Sequence, residues 1–290
     1  MSEPLTFSSV DDLAFAADRG RLSIRNSVPA LRVQELGPFL EYLLLSGAGL
    51  LPAPADAPWL SLNGIADLYS ALSNRRHVWT CPRTRLAGIF RTFQQRPADE
   101  TAWNMFSVAA EHAAIEAGFP KRIAVQLAGA IGEMEGNIYE HSRSSKSGVL
   151  VFRGEPGTFE FVVADRGIGV LKSLRTCPEY SHLSDHGEAL TFALRDGVSR
   201  FGSGEDRGHG FRPLFTGLAN LNGVLRFRSG DHALTINGYN PTVMPVRVAK
   251  KVSITGFFAS VRCQLLQASP DMPEARHTHT GLISAPKLLH

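Results

Sequence analysis

The chain has 290 residues, 43% of them apolar, which is material for a proper core and room for two modest domains. Thirty basic against 27 acidic residues leave a formal charge of only +3, with no basic run interleaved with aromatics, so a nucleic-acid surface is not expected. Three scattered cysteines, Cys81, Cys177 and Cys263, fit no metal spacing, and no basic-then-apolar leader or bilayer-length apolar run occurs; the expectation is free thiols in a cytoplasmic protein without membrane contact.

In chain order, residues 1–100 read as a small mixed α/β region. A short strand is expected at 22–25, apolar residues at helical spacing over 30–45, a proline-punctuated linker over 51–58, and helices over 65–72 and 85–95. Nothing in it carries recognisable chemistry, so a partner-docking or sensing module and a purely structural extension both fit. From residue 101 the pattern is clearer. A helix over 101–118 stops at Gly118-Phe119-Pro120, and a longer one follows over 121–141. Two strands, 148–153 and 159–164, flank the turn Gly154-Glu155-Pro156-Gly157. A long excursion over 171–207 holds a helix at 186–198 and then a glycine-rich stretch, and another helix covers 211–220. A hairpin of strands 224–228 and 233–236 and a final strand 256–265 complete the pattern, with a disordered tail from 268. Strands in hairpin order beside core helices predict an α+β, two-layer α/β sandwich over 101–267, not a βαβ wound sheet.

Three motifs carry chemistry. On the long helix Glu133, Asn137 and His141 lie four apart and share one face, beside a core stripe of Leu127, Ile131, Met134 and Ile138. That position suits a pocket edge, although a solvated flank of an amphipathic helix fits equally well. Next, Val162-Val163-Ala164-Asp165-Arg166-Gly167-Ile168-Gly169 puts a carboxylate where an apolar strand runs out, followed by alternating glycines. A buried carboxylate there needs a donor, such as a purine amine, and glycines let a base approach the backbone. The third motif, 202–210, is glycine-rich and runs into a patterned helix, where unpaired N–H groups and the positive dipole end would favour phosphate, with Arg207 adding charge. Context excludes a dinucleotide fingerprint, and no Gly-Lys-Ser/Thr ending exists for a Walker loop.

Taken in order, Glu133-x-x-x-Asn137, Asp165-x-Gly167-x-Gly169 and the later Gly208-x-Gly210 resemble the GHKL superfamily of ATPases, which includes gyrase, a heat-shock chaperone family, histidine kinases and MutL. The resemblance covers roughly residues 102–266, and the spacing around Glu133, Asn137 and His141 is most similar to the anti-sigma-factor serine kinases. It implies a Bergerat-type ATP-binding fold, with ATP and Mg²⁺ as cofactors. Asn137 would ligate Mg²⁺ and Glu133 would be the general base. Asp165 would read the adenine amine, with Gly167 and Gly169 lining the base pocket. Arg207, Gly208 and Gly210 would face the phosphates, and the excursion would be the ATP lid. The chain departs from autokinases in lacking a phosphoacceptor-like histidine box around His77 or His112, and no transducer segment is expected after the last strand. Two functions follow. One is an ATP-dependent protein kinase or slow ATPase acting in signal transduction on a protein partner chosen by the N-terminal region, with a homodimer left open. The other is a nucleotide-gated protein-binding module with negligible turnover.

Overall fold

The computed structural model describes residues 2–21, 28–97, 100–193, 222–237 and 247–265. The N-terminal part contains β1 (Glu3–Pro4), α1 (Phe7–Asp18), β2 (Leu31–Arg32), α2 (Leu36–Gly47), β3 (Leu60–Ser61) and α3 (Ala66–Ser73). Its three short strands pair in parallel in the order β1-β2-β3. Then come β4 (Val78–Thr80), β5 (Ala87–Arg91), α4 (Thr101–Glu116), α5 (Lys121–His141), β6 (Val149–Glu155) and β7 (Thr158–Asp165). After them lie α6 (Gly169–Leu174), α7 (His186–Ala193), β8 (Val224–Asn237) and β9 (Arg247–Gln264). A six-stranded sheet, ordered β4-β5-β6-β7-β9-β8 with every neighbouring pair antiparallel, organises the molecule.

The mixed α+β class and its helix-on-sheet layering match the sequence pattern. On one face, Phe106, Ala110 and Ala113 of α4 and Leu127, Ile131, Met134 and Ile138 of α5 pack against Phe152, Phe161, Val163 and Val261. Leu127, Ile131, Met134 and Ile138 are each at most 2% exposed, so the stripe read from the sequence is the helix's buried face. The other face is covered as well. Ile89, Val151, Val162 and Phe258 project into a second core with Leu13, Leu36, Phe39 and Leu68 of the N-terminal helices. The sheet therefore runs across the boundary expected at residue 100: β4 and β5 lie before it, yet β5 pairs with β6.

The N-terminal layer is held by polar contacts besides its apolar ones. Glu35 gives α2 no side-chain cap. Instead the Leu36 N–H, in the helix's first turn, donates to the buried Glu160 carboxylate of β7 at 2.9 Å, and Arg262 of β9 lies 3.1 Å from the other oxygen. Glu160→Ala strands that N–H in a buried site and is expected to lower stability by about 1–3 kcal/mol. The check is the urea midpoint at unchanged m-value.

Three local expectations fail for tertiary reasons. The helix expected over 85–95 is strand β5: Ile89 enters one core and Phe90 the other, and apolar residues on both faces of a central strand blur the alternation that marks β-structure. The hairpin expected over 224–236 is one 14-residue strand. Its Ser229-Gly230-Asp231 segment forms a bulge, not a turn, with register shifts on either side of Gly230 and a φ of +58° there. The helix expected over 30–45 begins only at Leu36, because Leu31 and Arg32 pair between β1 and β3. The expected strand at 22–25, helix at 211–220, end of the helix at 186–198 and tail from 268 lie outside the described residues. Cys81, Cys177 and Cys263 are free. Among the described residues no helix is long and apolar enough to cross a membrane.

Candidate functional site

Asp165 ends β7 on the side of Phe161 and Val163, facing the α4–α5 layer. Its Oδ1 accepts the Gly167 N–H at 2.7 Å, closing a tight turn. The next residue ties that turn to α5: the Ile168 N–H donates to the carbonyl of Ser142, the C-cap of the long helix, at 2.9 Å. The contact is close enough that a Cβ on Gly167 would sit 2.2 Å from the Ser142 oxygen. Gly169 opens α6 at a φ of +74°, and Ser229 Oγ accepts the following Val170 N–H at 2.9 Å while donating to the Gly256 carbonyl at 3.1 Å. Gly256, at a φ of +84°, lies so near that a Cβ there would be 2.1 Å from the Asp165 carbonyl oxygen. Both glycines of the Asp165 motif thus have a packing reason, and the end of α5, the β7–α6 turn, the β8 bulge and β9 meet at one point.

Asp165 is 6% exposed. Burial pushes its carboxyl from 3.8 up to about 6, against the opposing pull of hydrogen bonds from the Gly167 and Phe257 backbones. A carboxylate has roughly four lone-pair sites, so these two donors leave acceptor capacity for a third.

The polar line of α5 begins beside this turn and leads away from it. His141, its side chain 25% exposed, stands one residue before Ser142, with Nε2 3.8 Å from Glu140 Oε2. Asn137 is half-buried and Glu133 exposed. From His141 to Glu133 the helix axis advances about 12 Å. The structure therefore brings Asp165, Gly167 and Gly169 to the His141 end of the line, with Asn137 and then Glu133 progressively farther off. Glu135 takes another direction: it is 1% exposed and paired with Arg96, which leaves it on the flank toward β5. Arg207, Gly208, Gly210 and the rest of 202–210 lie outside the described residues.

The first part of the expected lid is compactly folded. Leu171 and Leu174 of α6 pack with Tyr180 and Leu183 of the α6–α7 connection and with Ala189 of α7 in a small core of their own. It abuts β8, where a Cβ on Gly187 would meet His232 at 2.7 Å. Among the described residues no group of three or more His, Cys, Asp or Glu could hold a metal. Mg²⁺ needs no such cluster, since it keeps most of its waters and takes one or two protein oxygens beside phosphate. Of the residues that build the turn, sequence reasoning missed Ser142, Ser229 and Gly256. Only Gly256 left a signal, as a lone glycine inside an apolar strand, which marks a close backbone approach. Neither family models, curated proteins nor solved structures give a match to this chain.

Proposed function

We propose that the chain is an ATP- and Mg²⁺-binding regulatory protein with a Bergerat-type nucleotide site, acting as a protein kinase or slow ATPase on a protein partner. The observation that carries this reading is Asp165: a nearly enclosed acceptor at a strand end, held by the Gly167 and Phe257 backbone N–H groups, beside a helix that presents Asn137 and Glu133 along the same line. In this reading Asp165 accepts from the purine amine, and the turn at Gly167 and Gly169 holds that carboxylate fixed against Ser142. The Asn137 side-chain oxygen would hold Mg²⁺, whose chemistry is to neutralise phosphate charge. Glu133, farther along the helix, would take the proton of the attacking water or hydroxyl. The residues fit such a ligand because Asp165 retains acceptor capacity and a single side-chain oxygen suffices for the metal. The exposure of Glu133 favours a second reading, nucleotide-gated protein binding with negligible turnover, since a base is tuned by desolvation and neighbours that open solvent does not supply.

Thermal unfolding with ATP, ADP and GTP, with and without Mg²⁺, tests the proposal. At a free ATP concentration one hundred times Kd, stabilisation of about 2.7 kcal/mol is expected; no shift at millimolar ATP would overturn it. Glu133→Ala should bind normally and lose turnover, and an unchanged ATPase rate would remove Glu133 from the base role.

A further inference from the structure

Across the sheet from Asp165 lies a group of cations that has no counter-charge among the described residues. Strand register places Arg91 opposite Val149 and Val149 opposite Ala164. Arg166 stands two residues beyond Ala164, so Arg91 and Arg166 project from the same end of the same face, the one turned to the N-terminal layer. Arg166 reaches α2, where a Cβ on Gly47 would be 2.6 Å from its Nη2. Arg91 reaches α3: its Nη2 donates to the Leu72 carbonyl at 3.0 Å. The same carbonyl accepts the Arg75 N–H at 3.1 Å, which brings Arg75, at a φ of +51°, to the same spot.

Three properties set this group apart from an ordinary basic surface. Among the described residues none of the three guanidiniums pairs with a carboxylate, although the three lie together. The half-buried Arg91 has a buried Nε with no acceptor. Burial first, then the charges of Arg75 and Arg166, hold its pKa below the usual value. A buried donor without an acceptor among like charges is costly unless an anion completes it. Arg75 and Arg166 are exposed, so the group is open to solvent. The adjoining loop supplies Ser147, whose Oγ accepts the Arg166 N–H at 3.0 Å, and exposed Lys146.

We propose that Arg75, Arg91 and Arg166 form a binding site for a dianionic phosphate monoester group. Guanidinium forks match phosphate oxygens in geometry and charge, and a dianion offsets most of the three positive charges. Arg166 follows Asp165 directly in sequence, but neighbouring strand residues point to opposite faces. The site is therefore separate from the candidate nucleotide pocket and does not depend on it.

The test follows the arginine Nε–Hε resonances of the full-length protein, without nucleotide, during titration with inorganic phosphate, chloride being adjusted to hold ionic strength constant. A saturable shift of Arg91 Nε–Hε with a millimolar Kd is expected. Arg75→Gln and Arg166→Gln, both at exposed positions, should each weaken binding by about tenfold or more. Arg91→Lys keeps the charge and loses the fork, and should also weaken it. No saturable shift, an equal shift with chloride alone, or a response untouched by both glutamine variants would overturn the proposal. A phosphoserine peptide in a parallel titration assigns the source: binding tighter than inorganic phosphate marks a protein-borne group, and equal binding a small-molecule phosphate.

Discussion

Replacement of Glu41 by alanine is expected to cost about 3–5 kcal/mol of folding stability, read as a lower urea midpoint. Glu41 is wholly buried between α2 and the sheet, where it accepts from Arg226 Nε at 2.7 Å and Arg226 Nη2 at 2.9 Å. It also accepts from Arg228 Nη1 at 2.5 Å, and Arg228 is itself 0% exposed. Arg226 reaches Asp11 of α1 at 2.7 Å, and Lys251 meets the same carboxylate at 2.7 Å. Among the described residues, removing Glu41 leaves Arg228 with the Val252 carbonyl as its remaining acceptor and no anion in contact. An uncompensated buried cation is the costly outcome, because its desolvation has been incurred and the Coulombic return is lost. A control separates that cost from lost packing. Combining Glu41→Met with Arg226→Met and Arg228→Leu removes the charges together, and should recover most of the stability lost in the single variant. A single-variant loss well under 1 kcal/mol would mean that water reaches the network.

Asp165→Asn is expected to abolish nucleotide stabilisation and, at the same time, to flatten the protein's stability against pH. The first effect follows from the proposed role, since an amide does not offer the same acceptors to a purine amine. The second is independent of any ligand. The folded carboxyl titrates at about 6 instead of 3.8, so the fold favours its protonated form. Between those values the native state binds more protons than the unfolded state, and stability therefore falls as pH rises through that window. The difference corresponds to at most ~3 kcal/mol. Buried Glu160, raised to about 7, contributes in an overlapping range. The measurement is accordingly the stability of wild type minus that of Asp165→Asn across pH 4 to 7. A difference that does not change with pH would show that Asp165 is not held in a desolvating site.

The two results bear on different claims. Loss of nucleotide response together with the flattened pH profile would place Asp165 in a buried acceptor site that nucleotide uses. A flattened profile with no wild-type nucleotide response to lose would leave a structural Asp165 that pins the β7–α6 turn and nothing more.

What could be read in the sequence was local. The stripe Leu127, Ile131, Met134 and Ile138 fixed α5, because each residue lies within a turn or two of the next. The turn at 154–157 fixed the β6–β7 pair for the same reason. The motif Asp165-x-Gly167-x-Gly169 could be recognised as a strand end with two special glycines. Its contact with Ser142 could not, since helix periodicity does not say where a helix end docks. Glu133 and Asn137 share a face by spacing alone, yet their graded exposure depends on what the sheet places beside α5.

Tertiary structure decided the rest, at positions where one sequence pattern fits more than one environment. Alternation in Val224-Leu225-Arg226-Phe227-Arg228 gives a strand with an arginine face, and by itself says nothing of what covers that face. The cover comes from Glu41 and Asp11, 185 and 215 residues from Arg226. In β5, apolar residues meant for two cores imitated a helix. At Gly230 a bulge imitated a turn, because only pairing with β9 tells a strand that bends from one that ends. Short-range propensity thus named helices α2 to α5 and α7, strands β6 to β9 in whole or in part, and the Asp165 turn, and it missed α1, α6 and the strands before residue 100. Long-range burial decided that the N-terminal region closes the second face of the sheet, and which charges went inside with it.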